Sequence, residues 1–530
     1  MTIETQVLVV GAGPVGLALA IELGTHGIHV IVVEKSDRTG DSPRAKTTNV
    51  RTRTLLRRWG IADRLAEASP FGVDYPNDVK FVTSLAGNLL ANFPNAFNGY
   101  PVRADEYPEH AQWIPQYTLE RILLEHASSL PTVEIRLGAA FIGAGQDEGH
   151  VTSSIETRDG SYNIRSAFLV GADGSRSSVR NLIGAKMEGR SRIVRAYNIV
   201  FRAPGLATAH RQGPAVIYWQ VGPSGLSTIG PMDQGDLWFF MPAFLDENET
   251  LTHEEAIEQI KMTTGIDLPY EILSADIWYA NELVADRHRL GRIFLAGDAC
   301  HLHPPFGGHG MNMGVGDAVD LGWKIAAQLK DWGGPRLLDS YQSERRPIHQ
   351  AVVNEAISTM REHVRLSWRP ELDEASPEGD ALRDELRQKI ESMRRQEFYS
   401  LGTVLGLRYE GSPIILSEPG EAPPHVSSVY TPSARPGGLA PHAWLPDGRS
   451  LYDLFGNGFA IVASSDVGEE ELDLIRAEAE QMKLPLEIAR PDGINVTELY
   501  GARLALVRPD QYVAWRGDQW EPVLAQAAGW

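Results

Sequence analysis

QVLVVGAGPVGLALAIEL, residues 6–23, decides the fold of this chain. Residues 7–10 are apolar and predict a buried strand, and the glycines that follow predict a turn that opens into a helix ending at Gly27. A second apolar run, residues 30–33, closes on Glu34. Strand, glycine turn, helix and strand, with an acid about 20 residues beyond the turn, form the βαβ unit of a dinucleotide-binding domain.

Each position of the glycine turn has a physical reason. Gly11 permits the tight turn, Gly13 lets a pyrophosphate approach the backbone, and Gly16 lets the helix pack closely on the strand. The pyrophosphate is expected at the helix N-terminus, where backbone N–H groups lack partners and the helix dipole favours negative charge. Glu34, with Lys35 beside it, is expected at the ribose.

Two later glycine signatures extend this nucleotide site, GADGSRSSVR at residues 171–180 and GDACHLHPP at residues 297–305. Asp298 directly follows a predicted strand at 293–296, where a carboxylate can bind a ribitol hydroxyl. An irregular loop is then predicted by Pro304, Pro305, Gly307, Gly308 and Gly310. The helix that begins near Asn312 would point its N–H groups at the pyrimidine edge of a reduced flavin. Together the three signatures predict a pocket for FAD.

The rest of the chain divides by its patterns. Alternating segments at 215–221, 226–231 and 237–242, separated by turn residues, predict an antiparallel sheet. Ser376 and Pro377 predict the cap and first residue of a charged helix that runs to about residue 400. A helix at 469–482 and strands at 459–463, 486–489, 505–507 and 513–515 predict a further small α/β unit.

We therefore predict an α/β fold with a Rossmann-like FAD-binding domain interrupted by a sheet insertion. The FAD-binding domain takes residues 1–184 and 284–375, and the antiparallel-sheet substrate domain takes residues 185–283. Residues 376–425 are expected to form a helical connection and linker, and residues 426–530 a C-terminal domain.

Composition excludes several classes of function. The formal net charge of −20 over 530 residues argues against nucleic acid or an anionic membrane surface as a partner, because both need basic patches. The one cysteine, Cys300, rules out an intrachain disulfide and indicates a reducing compartment. The sequence has no apolar run of spanning length and no signal peptide, so we expect a cytoplasmic protein.

Cys300, His301, His303 and His309 lie close together in sequence, but we predict no metal there. Their spacing matches no common zinc pattern, and the glycine signature already explains the segment. Cys300 has no evident basic partner, and a buried free cysteine is usually an inert core residue.

The three signatures occur with SPRA at residues 42–45, IPQ at 114–116 and SYQSERRP at 340–347. In this combination the whole chain resembles the group A flavoprotein aromatic hydroxylases. Para-hydroxybenzoate hydroxylase is a familiar member, and the most similar sub-group contains the phenol, 2,4-dichlorophenol and 3-(3-hydroxyphenyl)propionate hydroxylases. The resemblance implies a para-hydroxybenzoate hydroxylase-like fold with a thioredoxin-like C-terminal domain, possible homodimer formation, and hydroxylation of a phenolic substrate. It also implies that NAD(P)H reduces FAD and that O2 then forms a flavin C4a-hydroperoxide.

The resemblance further implies which residues hold the cofactor. The pyrophosphate contacts are Gly11, Gly13 and Gly16, the adenosine ribose contact is Glu34, and the FAD chain is touched by Arg44 and Gln116. Asp173 supports the region that handles nicotinamide and FAD, and Asp298 binds the ribitol or pyrophosphate side. The backbone of Met311 and Asn312, after Gly308 and Gly310, faces the flavin pyrimidine carbonyls, and Pro305 lies beside the substrate ring.

The inserted sheet is the expected wall of the substrate pocket. Tyr218, Gln220, Trp238 and Met241 alternate on its strands, and His303 lies in the loop beside the predicted flavin. We predict catalytic roles for His303, Pro305 and Tyr218, with His303 as the acid–base residue because histidine titrates near neutral pH. For the strand residues, ordinary core packing is an equally good interpretation.

Two features depart from the resemblance. The C-terminal domain has no cysteine, so it cannot perform thiol redox chemistry and is expected to act in packing or assembly. The segment Thr47, Thr48, Asn49 has no acid that could deprotonate a phenol.

Three alternatives stay open at the level of sequence. A flavin halogenase would carry Trp-x-Trp-x-Ile-Pro, of which residues 112–115 (QWIP) lack the first tryptophan. An FAD-dependent dehydrogenase or oxidase would turn over without inserting oxygen. A non-catalytic FAD-binding protein would use its C-terminal domain for interaction. The identity of the phenol and the choice between NADH and NADPH are not encoded in any motif.

Overall fold

The computed structural model describes residues 2–37, 45–242, 250–363 and 366–530. Three main sheets organise the chain, and a two-stranded ladder of β3 (Thr47–Thr48) and β6 (Gln112–Trp113) connects two loops. None of the helices in the described residues has the length and hydrophobicity needed to cross a bilayer.

The first sheet is the nucleotide-binding one. Its eight strands are β1 (Thr2–Val10), β2 (Val30–Glu34), β7 (Val133–Leu137), β8 (Ala140–Gln146), β9 (Val151–Thr157), β10 (Gly160–Gly171), β16 (Arg289–Leu290) and β17 (Ile293–Leu295). The order β17-β10-β1-β2-β7 is parallel throughout, whereas β8, β9 and β16 are added in antiparallel pairs. Because β17 pairs with β10 across more than a hundred residues, the nucleotide-binding fold is discontinuous in sequence.

Helices cover this sheet. They are α1 (Pro14–Thr25), α2 (Val50–Arg58), α3 (Ala62–Glu67), α4 (Gln116–Ser129), α5 (Ser178–Leu182), α8 (Gly310–Leu329) and α9 (Leu337–His363). Residues on every side of α1, such as Leu17, Ala18 and Leu19, are fully buried. An apolar helix of this kind needs neighbours all round, and α1 packs against β1, α4 and α8.

The second sheet contains β4 (Val79–Val82), β5 (Leu89–Phe93), β11 (Met187–Arg202), β12 (Ile217–Gly222), β13 (Gly225–Pro231), β14 (Leu237–Met241), β15 (Glu271–Ala285) and β18 (His301–Leu302). It also carries α6 (Leu206–Ala209) and α7 (His253–Thr264). The sheet order is β18-β15-β11-β14-β13-β12-β4-β5, and its pairs are antiparallel except β4 with β12.

The second sheet includes three strands from outside the range 185–283 expected for it from the sequence. Strands β4 and β5 lie within residues 1–184, and β18 lies within residues 284–375, yet all three belong to the second sheet rather than the nucleotide-binding sheet. Strands this short carry no sign of a partner more than a hundred residues away, which is why the pattern assigned them to the surrounding domain.

The connecting segment follows the prediction closely. α10 (Pro377–Phe398) has Pro377 at its first turn, and the Ser376 side chain accepts a hydrogen bond from the Gly379 N–H. α11 (Leu401–Gly406) follows it. Short 3-10 turns occur at Ala96–Asn98, Gly297–Ala299, Phe306–Gly308, Pro370–Asp373 and Leu451–Leu454.

The third sheet is C-terminal and mixed. It consists of β19 (Phe459–Ala463), β20 (Leu486–Ala489), β21 (Leu504–Val507) and β22 (Val513–Gly517), in the order β20-β19-β21-β22. Its helices are α12 (Glu469–Gln481), α13 (Val496–Tyr500) and α14 (Leu524–Ala527). One side of this sheet shares a core with Trp323, Trp332 and Leu337 of the α8–α9 region, so the C-terminal unit covers apolar surface of the nucleotide-binding domain.

Candidate active site

The glycine turn between β1 and α1 has the shape that a pyrophosphate needs. Gly11 has a φ of +106°, and a Cβ on it would lie 2.4 Å from the Ala172 carbonyl oxygen. A Cβ on Gly16 would lie 1.9 Å from the Gly11 carbonyl oxygen. A Cβ on Gly13, in contrast, would have no described heavy atom within 4 Å. Gly13 therefore borders open space at the N-terminus of α1, where the sequence predicts the pyrophosphate.

Glu34, at the end of β2, faces this turn. Its Oε2 accepts a hydrogen bond from the Ala12 N–H at 3.0 Å, and its Oε1 accepts one from the Ser36 N–H at 2.9 Å. Each carboxylate oxygen keeps a further lone pair for a ribose hydroxyl. Glu34 is half-buried, and the neighbouring Lys35 is exposed.

Gln116, the first residue of α4, holds the segment of residues 45–49. Its Oε1 accepts from the Ala45 N–H, and its own N–H donates to the Ala45 carbonyl oxygen, both at 3.0 Å. Arg44, which was predicted to touch the cofactor chain, lies outside the described residues.

Asp173 is already engaged by its own helix. Its carboxylate accepts from the Ser178 N–H at 2.7 Å, the Val179 N–H at 3.2 Å and the Ser177 hydroxyl. It therefore caps α5 and shapes the turn that follows β10. Asp298 lies in the 3-10 turn after β17, half-buried, at the edge where the parallel strands end.

The loop of residues 303–310 leads into α8 and meets the segment of residues 45–49. The Asn312 Nδ2 donates to the carbonyl oxygens of Thr47 at 2.9 Å and Gly308 at 2.7 Å, and the Asn312 Oδ1 accepts from the Asn49 N–H at 3.0 Å. Gly308 has a φ of +65°, and a Cβ on it would lie 2.8 Å from the Thr47 side chain. One amide thus fixes both loops around the N-terminus of α8.

His303 is unsuited to storing a proton at neutral pH. Its Nδ1 lies 2.7 Å from the Pro304 carbonyl oxygen, so this nitrogen carries the hydrogen, and Nε2 is buried without a partner among the described residues. Burial, together with His301, lowers the pKa of His303 to about 3. A pKa this low favours the neutral imidazole at neutral pH. Pro305 is exposed two residues further along the loop.

Tyr218, for which the sequence predicts a catalytic role, lies on the side of the second sheet that faces α7. Its ring lies in the core between the second sheet and α7, and its hydroxyl donates to the Gly213 carbonyl oxygen at 2.5 Å. Gln220 and Trp238 lie on the same side of the sheet. The Gln220 side chain donates to the Thr263 carbonyl oxygen of α7, and Trp238 shares the core of Tyr218.

The opposite side of the second sheet packs toward the 303–310 loop. Phe239 and Trp219 share a core with Phe306, and Met241 packs against it. Sequence reasoning missed Phe239 and Trp219 because Tyr218 and Trp238, their neighbours in the chain, offer equally apolar side chains of opposite orientation.

Lys46 is a further residue that the sequence search passed over. Its Nζ lies 4.1 Å from the centroid of the Phe239 ring, on the side of the sheet that faces the loop. Burial lowers the pKa of Lys46 to about 8. A lysine beside Thr47 does not indicate a site by itself, because exposed lysines are common in loops.

A buried cluster lies behind the site. The side-chain ligand atoms of Cys300, His301, Asp317 and His349 all lie within 4.8 Å of one another. Asp317, however, already accepts from the Arg345 Nε at 2.7 Å and lies 2.7 Å from the His349 Nε2. Burial opposes its ionisation, but His349 and Arg345 hold the pKa of Asp317 well below its usual range. Since the Arg345 guanidinium supplies the positive charge, the set fits an ion-pair network better than a metal site, and the absence of a metal stays a prediction.

Residues 4–356 match a family model described as an FAD binding domain, and residues 433–529 match one described as the C-terminal domain of aromatic-ring hydroxylases. The chain belongs to the FAD-dependent aromatic hydroxylases. This hydroxylase is 30% identical to 2,4-dichlorophenol 6-monooxygenase of Delftia acidovorans, over 98% of its own length and 96% of the relative's.

Solved structures give the same assignment. The hydroxylase is similar to the rebeccamycin biosynthetic enzyme RebC with reduced flavin, with a TM-score of 0.91 and 32% identity over 100% of this chain and 99% of that one. It is also similar to a ternary complex of aklavinone-11 hydroxylase with FAD and aklavinone, with a TM-score of 0.86 and 29% identity over 99% of both chains. The family, the fold class, the FAD cofactor and the monooxygenase activity predicted from the sequence are confirmed.

Proposed function

We propose that this hydroxylase inserts one oxygen atom from O2 into a phenolic ring, with NAD(P)H as the reductant. The observation that carries the proposal is the meeting of an aromatic wall with the N-terminus of α8. Phe239 and Trp219 on the second sheet share one buried apolar core with Phe306 from the 303–310 loop, and we propose that a planar ring binds against this water-poor core. The relative from Delftia is named as acting on a dichlorophenol, and aklavinone is bound in a solved neighbour.

We further propose that the cofactor lies along the edge formed by β1, β2 and the N-termini of α1 and α8. FAD, when bound there, supplies the electron transfer and O2 activation that no side chain offers. The residues that hold it are Gly11, Gly13, Gly16, Glu34, Gln116, Asp298 and the Met311–Asn312 backbone. Asp173 supports the pocket by fixing the β10–α5 turn. The open space at Gly13 and the unpaired Nε2 of His303 fit a bound group at this edge.

The protein's own contribution to the chemistry is to orient the ring and exclude water. Phe306 is buried and closes the aromatic wall from the loop side. A site closed in this way protects reactive intermediates from water and strengthens each polar contact to the substrate. Pro305 is expected beside the substrate ring, and His303 is expected to serve as a neutral hydrogen-bond acceptor.

The test is a coupled turnover experiment. The purified holoenzyme is supplied with NADH or NADPH and a panel of phenols, and hydroxylated product and hydrogen peroxide are measured together. We expect at least one phenol to give product in near-stoichiometric amount with the nucleotide consumed. Nucleotide consumption that yields only peroxide with every phenol, or turnover without oxygen insertion, would identify an oxidase and overturn the proposal.

We propose that the C-terminal unit, residues 426–530, is a thioredoxin-like domain with a packing role. The chain has no cysteine in this unit, so thiol exchange is impossible, and its apolar side covers Trp323 and Trp332. The domain limits given by the sequence are retained apart from β4, β5 and β18. The cytoplasm is the proposed location, in line with a lone reduced cysteine, and homodimer formation stays a prediction.

A further inference from the structure

Lys46 is held in one place by its backbone. The Ile114 N–H donates to the Lys46 carbonyl oxygen at 2.7 Å. On one side Ala45 is bound to Gln116, and on the other Thr47 pairs with Trp113 in the β3–β6 ladder. The Thr47 side chain lies against Gly308, whereas the Lys46 side chain reaches the Phe239 ring of the second sheet.

In the part of the chain that the structure describes, the Lys46 ammonium meets an aromatic ring rather than a carboxylate. Among the described residues, no carboxylate forms an ion pair with Lys46, and burial alone accounts for its lowered pKa. The contact with Phe239 is a cation–π interaction, which compensates only part of the lost hydration. Lys46 is half-buried, so its ammonium, which has no ion pair among the described residues, loses part of its hydration at some cost to stability.

A second donor without an acceptor lies beside it. The Trp113 ring centroid is 6.3 Å from that of Phe239, and its indole Nε1 is buried with no hydrogen-bond partner in the described part of the chain. Indole N–H groups can only donate. Lys46 and Trp113 are therefore two hydrogen-bond donors that both lie near the Phe239 ring.

We propose that Lys46 binds the phenolic oxygen of the substrate and stabilises it as the phenolate. The inference rests on the proposed function, since it takes the ring to lie against Phe239. When the neutral amine meets a phenol, the O–H bond breaks and an N–H bond forms, which converts Lys46 to the ammonium and the substrate to the phenolate. When the ammonium meets a phenolate, the same ion pair forms with no proton transfer. The phenolate is the more electron-rich ring and reacts more readily with an electrophilic oxygen.

Binding of 4-nitrophenol to the holoenzyme provides the test, because its phenolate absorbs visible light and its neutral form does not. At about pH 6, where the free compound is mostly neutral, difference spectra of the wild type should show the phenolate band on binding. Lys46→Met should lose this band and bind on the order of 10- to 100-fold more weakly, the range expected for loss of one hydrogen bond to a charged group. Lys46→Arg keeps the charge and should retain part of the band.

Lys80→Met is the matched control. Lys80 is a half-buried lysine of β4 whose Nζ donates to the Gln212 carbonyl oxygen, and its substitution should leave the phenolate band unchanged. In the absence of any phenol, Lys46→Met should also melt at a slightly higher temperature than the wild type, because it removes a half-buried charge that has no ion pair among the described residues. A lysine kept only for structure would instead lower the melting temperature when removed.

The outcomes separate the two proposals. If the wild type hydroxylates phenols but Lys46→Met gives an undiminished phenolate band, the role of Lys46 is overturned while the proposed function stands. If the wild type binds and hydroxylates no phenol, the proposed function fails and the role of Lys46 fails with it.

Discussion

Individual residues of the nucleotide turn are determined by the room available for a Cβ atom. Gly11 and Gly16 face the backbone oxygens of Ala172 and Gly11, whereas Gly13 faces open space. The three glycines look alike in the sequence, but the fold requires two of them and only a ligand requires the third.

Substitution of these glycines should separate folding from cofactor binding. Gly11→Ala forces a positive φ and a backbone clash, so we expect the apoprotein to lose roughly 1–3 kcal/mol or more of unfolding free energy. Gly13→Ala should leave the melting temperature of the apoprotein nearly unchanged but weaken FAD binding, measured by quenching of flavin fluorescence. If Gly13→Ala bound FAD as tightly as the wild type, the pyrophosphate would have to lie elsewhere.

Tyr218 provides a test of which side of the second sheet forms the wall of the substrate pocket. Tyr218→Phe removes the hydrogen bond to the Gly213 carbonyl oxygen, and we expect a loss of about 1 kcal/mol in unfolding free energy. The kcat with the best phenol should stay within about twofold, since the hydroxyl lies on the α7 side of the sheet. A fall in kcat of a hundredfold in a stably folded variant would restore Tyr218 to the catalytic set.

At the scale of elements, the sequence predicted the limits of helices and strands better than it predicted which strands pair. The limits of β19 and β20, and the cap of α10 at Ser376, follow directly from apolar runs and capping chemistry. The pairing of β4 with β12 could not be predicted, because the two strands lie far apart in sequence. The orientations of Tyr218 and Trp219 could not be predicted either, because two neighbouring aromatic residues fit either face of a strand. The contact of Lys46 with Phe239 likewise joins segments far apart in sequence, so no local pattern reveals it.

Asn312 joins elements that the chain keeps 260 residues apart, since its amide binds residues on both the 303–310 loop and the 45–49 segment. Asn312→Ala should release both loops from α8, so we expect FAD to bind at least about tenfold more weakly, with three hydrogen bonds lost. Isothermal titration of the apoprotein with FAD measures this change. Gln350→Ala, which removes an exposed side-chain hydrogen bond to Asn354 on α9, is the control and should bind FAD normally.

At the scale of the whole molecule, a buried ion network joins the C-terminal unit to the nucleotide-binding domain. Arg508 binds the carboxylates of Glu344 at 2.7 Å, Asp320 at 2.8 Å and Asp510 at 2.6 Å, and Lys324 adds a second cation. Burial raises the pKa of Asp320, whereas Lys324 and Arg508, which donate to its two oxygens, favour the carboxylate. The C-terminal unit is therefore an integral part of the fold.

Arg508→Met should destabilise the entire chain. The change leaves Glu344 and Asp510 buried with too little positive charge, and we expect a loss of roughly 3–5 kcal/mol in unfolding free energy, measured by chemical denaturation. Arg503→Met breaks only an exposed pair with Asp466 and should cost less than about 1 kcal/mol. Equal effects of the two substitutions would show that the network contributes nothing to stability.

Acid should weaken the molecule through its buried histidines. Burial lowers the pKa values of His210, His288 and His442 to about 4 each. Between about pH 6.5 and pH 4, these histidines therefore bind protons in the unfolded chain but not in the folded chain. The free energy of unfolding is highest above about pH 6.5 and falls within this window by roughly 1.4 kcal/mol per pH unit for each histidine.

His288 is suited to measuring the contribution of a single histidine, because neither of its ring nitrogens has a hydrogen-bond partner in the described residues. His288→Phe should reduce the slope of unfolding free energy against pH by one proton between pH 6 and pH 5, measured by urea denaturation at each pH. An unchanged slope would mean that His288 is protonated in the folded enzyme.

The reactivity of the Cys300 thiol can report local unfolding of the nucleotide-binding domain. Its side chain is fully buried beside the Gly297 turn, and burial raises the pKa of the thiol well above its usual range. Alkylating reagents attack only an accessible thiolate, so they can modify Cys300 only in molecules whose nucleotide-binding sheet has unfolded locally. Because a bound cofactor holds the closed form by mass action, the speed of alkylation becomes a measure of how firmly the flavin is seated, obtained without observing the flavin at all.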